Sequence, residues 1–313
     1  MIISASRRTD IPAFYSKWFM NRLRDGFVYV RNPFNTKQIS HVNLSPKQID
    51  CIVFWTKNPF EIIRHLREIE NLGYNFYFQF TLTGYGKFLE RKVPDKKYLI
   101  RIFKELSELI GRKKIIWRYD PIFFSDEISS EYHLENFLSI ADELKGYTEK
   151  CIFSFLDMYK KCERNLKTVP LKVMTKEKQF DLAKKLNDIA LDHFFKLETC
   201  SETIELEHIG INHGKCIDDK LISEIVGQDL SIKKDSTQRN ECGCVSSIDI
   251  GAYNTCEHNC LYCYANYNYN IVEKNVKEHD FNSPLLIGQP DGCEKITERK
   301  ITSFLDKQLS LFE

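Results

Sequence analysis

Short apolar runs alternate with amphipathic stretches over the first two-thirds of the chain, which is the pattern of a parallel sheet built from strand-helix units. The runs predict strands over 2–5, 51–56, 75–83, 114–119, 151–156 and 194–199, with a further strand over 245–251. Between them the spacing predicts helices. The clearest covers 97–110, where Leu99, Ile102, Phe103, Leu106 and Ile110 recur on one face and Gly111 supplies a stop. Others cover 134–144, carried by Leu134, Phe137, Leu138, Ala141 and Leu144, and 176–190, carried by Phe180, Ala183 and Leu186. Strands and helices in this order predict an α/β protein, a TIM-like or partial (β/α) barrel of parallel strands, with a doubly wound sheet as the competing architecture.

From Ser201 the pattern changes. Cysteine, glycine, asparagine and charged residues become frequent, and one short helix over 218–226 is expected. The chain therefore divides into barrel units over 1–200, a metal-organised segment over 201–245, a final strand and cysteine loop over 246–270, and a capping tail over 271–313 with a helix over 294–311.

Composition adds limits to this picture. The chain has 313 residues, 42% of them hydrophobic and 13% aromatic, enough for one large core. Its 45 basic and 44 acidic residues leave a net charge of +1, so no global field recruits nucleic acid or an anionic membrane. No apolar run approaches the ~18 residues of a membrane span. The opening MIISASRR is unlike a signal peptide, and Pro12, Lys17, Asn21 and Arg22 follow the Arg7-Arg8 pair where a twin-arginine signal needs an apolar core. A cytoplasmic location is expected.

In a reducing compartment eleven cysteines point to metal or redox chemistry before disulfides. Cys51, Cys151, Cys162 and Cys293 are scattered and read as small hydrophobes or bystanders. The other seven fall between Cys200 and Cys263. Cys256, Cys260 and Cys263 form CxxxCxxC on one loop. Thiolates are soft ligands suited to iron–sulfur clusters or zinc. Three are informative, because a four-iron cubane held by three thiolates keeps one iron open to a small molecule, whereas a closed structural site uses four protein ligands. Zinc held with His258 or an outside cysteine is the alternative, although His258, placed between two ligands, reads better as an exposed or locally hydrogen-bonded histidine. Cys200, Cys216, Cys242 and Cys244 would make a closed set for a second [4Fe-4S] cluster or for zinc, with His208 and His213 as spare ligands.

The stretch from Asp249 through Tyr253, Cys256, Cys260, Tyr262 and Cys263 to Ala265 resembles the cluster loop of the radical S-adenosylmethionine superfamily, and its YCYA tail resembles the spore photoproduct lyase branch. The chain also resembles the domain of unknown function 1848 family. The superfamily resemblance implies a [4Fe-4S] cluster on Cys256, Cys260 and Cys263 that binds S-adenosylmethionine at its fourth iron. It also implies reductive cleavage to a 5′-deoxyadenosyl radical, and a low-potential electron donor such as flavodoxin or ferredoxin. Superfamily members usually carry this loop after the first strand. A circular permutation explains its late position here, since first and last strands of a barrel are neighbours.

In a barrel the functional residues stand at the C-terminal ends of the strands. Those positions hold Ser6, Arg7 and Asp10, then Lys57, then Gln79 and Thr81, then Arg118 and Asp120, then Ser154, then Glu198. The segments TKNP at Lys57 and RYDPI at Arg118 resemble strand ends of the spore photoproduct lyase branch, which implies contacts with cofactor or substrate. Arg118 or Lys57 would pair with the cofactor carboxylate, Gln79, Thr81 or Ser154 would meet ribose hydroxyls, and Tyr262 would flank the cluster. A buried Arg118–Asp120 ion pair is the structural alternative. The chain thus reads as a radical enzyme of unknown substrate. A non-catalytic zinc- or iron–sulfur-stapled binding or electron-transfer protein is the rival. The DNA-repair likeness keeps nucleic acid as one substrate class without support from net charge.

Overall fold

Period-two alternation along the central strands sets the architecture. The computed structural model describes residues 1–305. Its strands are β1 (Ile2–Ala5), β2 (Phe27–Asn32), β3 (Asn35–Asn43), β4 (Cys51–Thr56), β5 (Phe76–Thr81), β6 (Ile115–Ile122), β7 (Phe124–Ser125), β8 (Lys150–Phe155), β9 (Leu171–Lys172), β10 (Lys196–Thr199), β11 (Asn212–His213), β12 (Ile248–Asp249) and β13 (Lys295–Glu298). The helices are α1 (Ile11–Phe14), α2 (Ser16–Asp25), α3 (Phe60–Ile63), α4 (Leu66–Asn71), α5 (Lys96–Ile110), α6 (Ser130–Leu144), α7 (Lys160–Asn165), α8 (Lys176–Asp192), α9 (Asp219–Val226) and α10 (Tyr269–Lys277).

Eight strands form one parallel sheet in the order β11-β10-β8-β6-β5-β4-β1-β12. Along it Ile3, Phe54, Phe78, Trp117 and Phe153 point to one face, where they pack with Trp18 and Phe19 of α2, Phe103 of α5, Phe137 of α6 and Leu186 of α8. Each such fully buried side chain contributes about 2 kcal/mol of hydrophobic stabilisation. The alternate residues Ile2, Cys51, Val53, Tyr77, Ile116 and Ile152 point to the other face, against Ile217, Ile222 of α9 and Val245. The 201–245 segment thus covers the face that the long helices leave open.

The sheet order sets aside the doubly wound alternative and gives an open parallel sheet in place of a closed barrel. A doubly wound sheet reverses direction partway and carries helices on both faces. Here β1, β4, β5, β6, β8, β10 and β11 succeed one another in one direction. Nor is the sheet a closed barrel, because β11 and β12 are its two edges. The expectation that the last strand lies beside the first holds, with Ile3 opposite Ile248 and Ser4 opposite Asp249. Only two residues of the expected 245–251 strand are regular.

Side-chain caps explain the clean helix starts. Asp95, Ser129, Thr175 and Asp218 each accept from a backbone N–H of the first turn of α5, α6, α8 and α9. Two features were not anticipated. Asp10 caps α1, with Pro12 in its first turn, and Gly26 in the left-handed region ends α2. The hairpin of β2 and β3 then forms a second sheet, which β13 joins alongside β3. The expected helix over 294–311 is therefore corrected to a strand at Lys295–Glu298. Its KITE sequence has no helical apolar stripe, and all four residues are exposed on a sheet edge. Residues 306–311 of that expectation lie outside the described residues. Among the described residues no helix is long and apolar enough to cross a membrane.

Candidate metal and cofactor site

The alternation that builds the second core also builds the site. In β1, Ser4 and Ser6 continue the parity of Ile2. In β4, Trp55 and Lys57 continue that of Val53, and in β6, Arg118 and Asp120 that of Ile116. At the C-terminal ends of the strands these side chains border a cavity of about 520 Å³. Its walls carry Cys256, Cys260 and Cys263 together with Cys200, Cys216, Cys242 and Cys244.

The three-cysteine loop leaves β12 at Asp249, a junction made of converging donors. The Asp249 carboxylate accepts from Ser4 Oγ at 3.0 Å, Ser6 Oγ at 2.7 Å, the Arg7 N–H at 2.8 Å and the Gly251 N–H at 3.0 Å. A Cβ at Gly251 would stand 2.0 Å from Ser6 Oγ, so only glycine lets the loop pass this close. Further on, Tyr15 donates to the Thr255 carbonyl and Asn266 to that of Cys256, both at 2.7 Å. Asn254 and Asn259 take left-handed φ of 58° and 54°, which Asn tolerates better than most residues. Burial pushes all three thiols up, and the nearby Cys263 pushes Cys256 up further. Deprotonating three buried thiols together needs a compensating cation, which a bound metal provides.

A buried carboxylate anchors the far side of this loop. Glu90, 1% exposed, accepts from Lys57 at 2.7 Å, Thr83 at 2.9 Å, Lys96 and the Tyr262 hydroxyl. Burial alone would raise it, but Lys57 and Lys96 outweigh burial and hold Glu90 at about 2.

The second set gathers from three separate places. Cys200 follows β10, Cys216 precedes α9, and Cys242 and Cys244 lead toward β12. Cys200 and Cys216 sulfurs are 3.1 Å apart, and Cys242 and Cys244 stand near enough to Cys216 for the thiols to shift one another's titration. Bonding from Cys244 pulls Cys242 down to about 7. Arg118, 4% exposed, donates to Cys216 Sγ at 2.8 Å and also to Asp120. Among the described residues no group of three or more His, Cys, Asp or Glu stands in the geometry of a bound ion. The Cys200 and Cys216 sulfurs instead stand closer than the roughly 3.8 Å that tetrahedral bonds of about 2.3 Å set between zinc-bound sulfurs. Loading a metal would require them to lose protons and spread apart.

The family model described as "Domain of unknown function (DUF1848)" matches residues 2–265. The chain belongs to that family. A search of curated proteins gives no match. Among solved structures, a crystal structure described as a candidate alpha-L-fucosidase from Bacteroides thetaiotaomicron is similar at 11% identity, over 74% of this chain and 84% of that one, with a TM-score of 0.25. A likeness that weak carries no argument.

In this DUF1848 chain the cavity brings together Ser6, Arg7, Asp10, Lys57, Thr81, Arg118, Asp120, Ser154 and Tyr262. Two expected contacts stand apart from its lining. Gln79 donates to the Cys216 carbonyl at 2.9 Å, and Glu198 pairs with Lys150 and Lys196 at 3.1 and 2.6 Å. Both are polar strand residues consumed by their own neighbours. His208 stacks on Phe180 and His213 meets Thr199, and neither lines the cavity. His258 corrects an expectation. It is 2% exposed, and its partner at 2.8 Å is the distant Asp10.

Sequence reasoning also missed Asp249, Arg8, Arg239 and Cys162 as lining residues. Asp249 stood inside the loop motif, where a carboxylate two residues before a glycine was the available signal. Cys162 donates to the Tyr262 carbonyl at 3.1 Å, and nothing in its spacing foretold that.

Proposed function

We propose that this protein is a radical S-adenosylmethionine enzyme. The observation that supports this most is a single cavity at the C-terminal ends of a parallel sheet, lined by three cysteines from one loop and four from elsewhere. The order of the sheet supports its reading as a partial (β/α) barrel cut open by permutation. The residues fit the group: soft donors in sets of three and four, a glycine that clears the loop's path, and a cavity of about 520 Å³ beside them. Cys256, Cys260 and Cys263 would hold the catalytic [4Fe-4S] cluster, and Cys200, Cys216, Cys242 and Cys244 a second cluster. When bound, the first cluster with S-adenosylmethionine supplies a 5′-deoxyadenosyl radical for hydrogen abstraction, fed by a low-potential flavodoxin or ferredoxin.

The chain's own groups then divide the labour. Lys57 and Arg118 are committed to Glu90 and Asp120, so the cofactor carboxylate falls to Arg7 and Arg8. Both also face Asp249, but at the longer distances of 4.0 Å for Arg7 and 3.8 Å for Arg8, with Arg7 3.3 Å from Ser247 Oγ and Arg8 3.4 Å from the Gly251 carbonyl. Asp120, hydrogen-bonded by Ser154 and partly open to the cavity, suits a ribose hydroxyl. Tyr262 and Lys57, fixed through Glu90, orient the loop and hold water away from it. Anoxic reconstitution tests the reading. We expect about eight irons per chain, with 5′-deoxyadenosine released on adding dithionite and S-adenosylmethionine. A zinc-loaded, colourless protein that leaves the cofactor intact would instead make it a metal-stapled binding or electron-transfer protein.

A further inference from the structure

The cysteine loop and α7 meet at the mouth of the cavity, and tyrosines and cations interleave between them. Tyr253, Tyr264 and Tyr267 stand on the loop side, and Tyr159, Lys161 and Arg164 on the α7 side. Lys161 Nζ lies 4.5 Å from the Tyr253 ring centroid and the Arg164 guanidinium 3.6 Å from that of Tyr267, while Tyr159 and Tyr264 lean together with centroids 5.8 Å apart. Arg8 also reaches the Tyr253 ring, at 5.2 Å. The Tyr267 N–H donates to the Asn254 side chain, which ties it to the Tyr253 end of the loop. Tyr159, Tyr253, Tyr264 and Arg8 line the cavity itself.

Neither the rings nor the cations are used up by these contacts. Tyr159, Tyr264 and Tyr267 remain 46%, 44% and 47% exposed, so each keeps open ring surface for stacking. A carboxylate would neutralise a lysine or arginine, whereas a ring attracts it by about 0.5–1 kcal/mol at an exposed site and leaves its charge in place. Among the described residues neither Lys161 nor Arg164 is paired with a carboxylate, in contrast to Arg239, which stands 2.5 Å from Asp157. The net charge of +1 is an average over the chain and does not describe this rim.

Planar faces interleaved with unneutralised positive charge complement a ligand that carries planar rings and evenly spaced negative charge. We propose that this rim binds a single strand of nucleic acid, with bases stacked on Tyr159, Tyr264 and Tyr267 and phosphates against Lys161 and Arg164, and presents one nucleotide to the cavity. As the substrate class of the cavity the inference rests on the catalytic reading above, whereas as a binding surface it stands on the rim alone. A duplex suits the rim less, because its bases already stack on one another and offer the tyrosines no free face. An acidic peptide would meet the cations and leave the tyrosines idle.

Fluorescence anisotropy of the anoxically reconstituted chain with labelled oligothymidylate and oligouridylate, each of about twelve nucleotides, tests this. We expect binding of either strand or both, the tighter one naming the sugar, and weaker binding once the complementary strand is annealed. Tyr264→Ala and Tyr267→Ala should each weaken binding about tenfold, while Tyr264→Phe and Tyr267→Phe, which keep the ring, should bind like the wild type. Lys161→Gln and Arg164→Gln should each flatten the dependence of log Kd on log salt by about 0.7. Far-ultraviolet circular dichroism checks that the variants fold. No binding of either strand overturns the proposal. Binding indifferent to both alanine variants, or displaced by polyglutamate as readily as by unlabelled strand, reduces the rim to an anion patch and overturns it too. Release of 5′-deoxyadenosine without any oligonucleotide, measured on the same sample, judges the catalytic reading separately. If strands bind as expected and none is released, that reading fails and the binding surface stands.

Discussion

Two sets of cysteines share one cavity, and they are built in opposite ways. Cys256, Cys260 and Cys263 lie on one loop that Asp249, Tyr15 and Asn266 pin in place. Cys200, Cys216, Cys242 and Cys244 come from the end of a strand, the start of a helix and the approach to another strand. Cys200 and Cys216 already touch, with Arg118 2.8 Å from Cys216. The first set is three thiols on one pinned loop, whereas the second gathers four thiols that tie the 201–245 segment to the sheet. Chemistry should therefore depend on the first, and stability on the second.

Variants can break that contrast. Cys256→Ala, Cys260→Ala or Cys263→Ala should lower cofactor cleavage by about 10³-fold or more while leaving about four irons per chain, read by product chromatography and iron assay. Next in size is the ion pair under the second set. Arg118→Met leaves the Asp120 carboxylate without its cation and should cost about 3–5 kcal/mol, with much of it recovered in Arg118→Met/Asp120→Asn. Urea unfolding of the single and double variants measures this.

Glu90→Gln, which strands Lys57 and Lys96, should cost a similar amount above pH 5. Because Glu90 is held at about 2 against an ordinary 4.5, its stabilisation is complete above pH 4.5 and fades as pH falls toward 2. The difference between wild type and Glu90→Gln should shrink over that window. Substituting Cys200 or Cys216 by Ser should cost about 2 kcal/mol yet keep cofactor cleavage within about tenfold. Cleavage lost to the same degree as in the loop variants would erase the contrast. The smallest effect belongs to Cys162→Ala, at about 1 kcal/mol, with loop iron unchanged. Iron lost there would make Cys162 a fourth ligand.

The sequence disclosed what is local. Alternating apolar runs located the six parallel strands from β1 to β10, since pairing buries both faces of each. CxxxCxxC was legible because its cysteines are neighbours in the chain. Their place at the C-terminal ends of the predicted strands nominated Ser6, Lys57, Arg118, Asp120 and Ser154. What escaped depends on partners far away in the chain. Glu198 and Gln79 are chemically suited to ligands, yet Lys150 and the Cys216 carbonyl take them. His258 gave no sign that Asp10, 248 residues earlier, would bury and orient it. The KITE strand at the C-terminal end is set by the exposed edge of β3, a partner no window around Ile296 contains. Whether the sheet closes is likewise decided by its two edges.

The central claim is that the metal on Cys256, Cys260 and Cys263 has one position open to a small molecule. Electron paramagnetic resonance of the anoxically reconstituted, dithionite-reduced protein, recorded before and after S-adenosylmethionine, tests it directly. A [4Fe-4S] signal whose g-values shift on adding S-adenosylmethionine, and which is lost in Cys260→Ala while the second signal persists, is the predicted result. A spectrum indifferent to S-adenosylmethionine, from a protein retaining all its iron, would contradict the account.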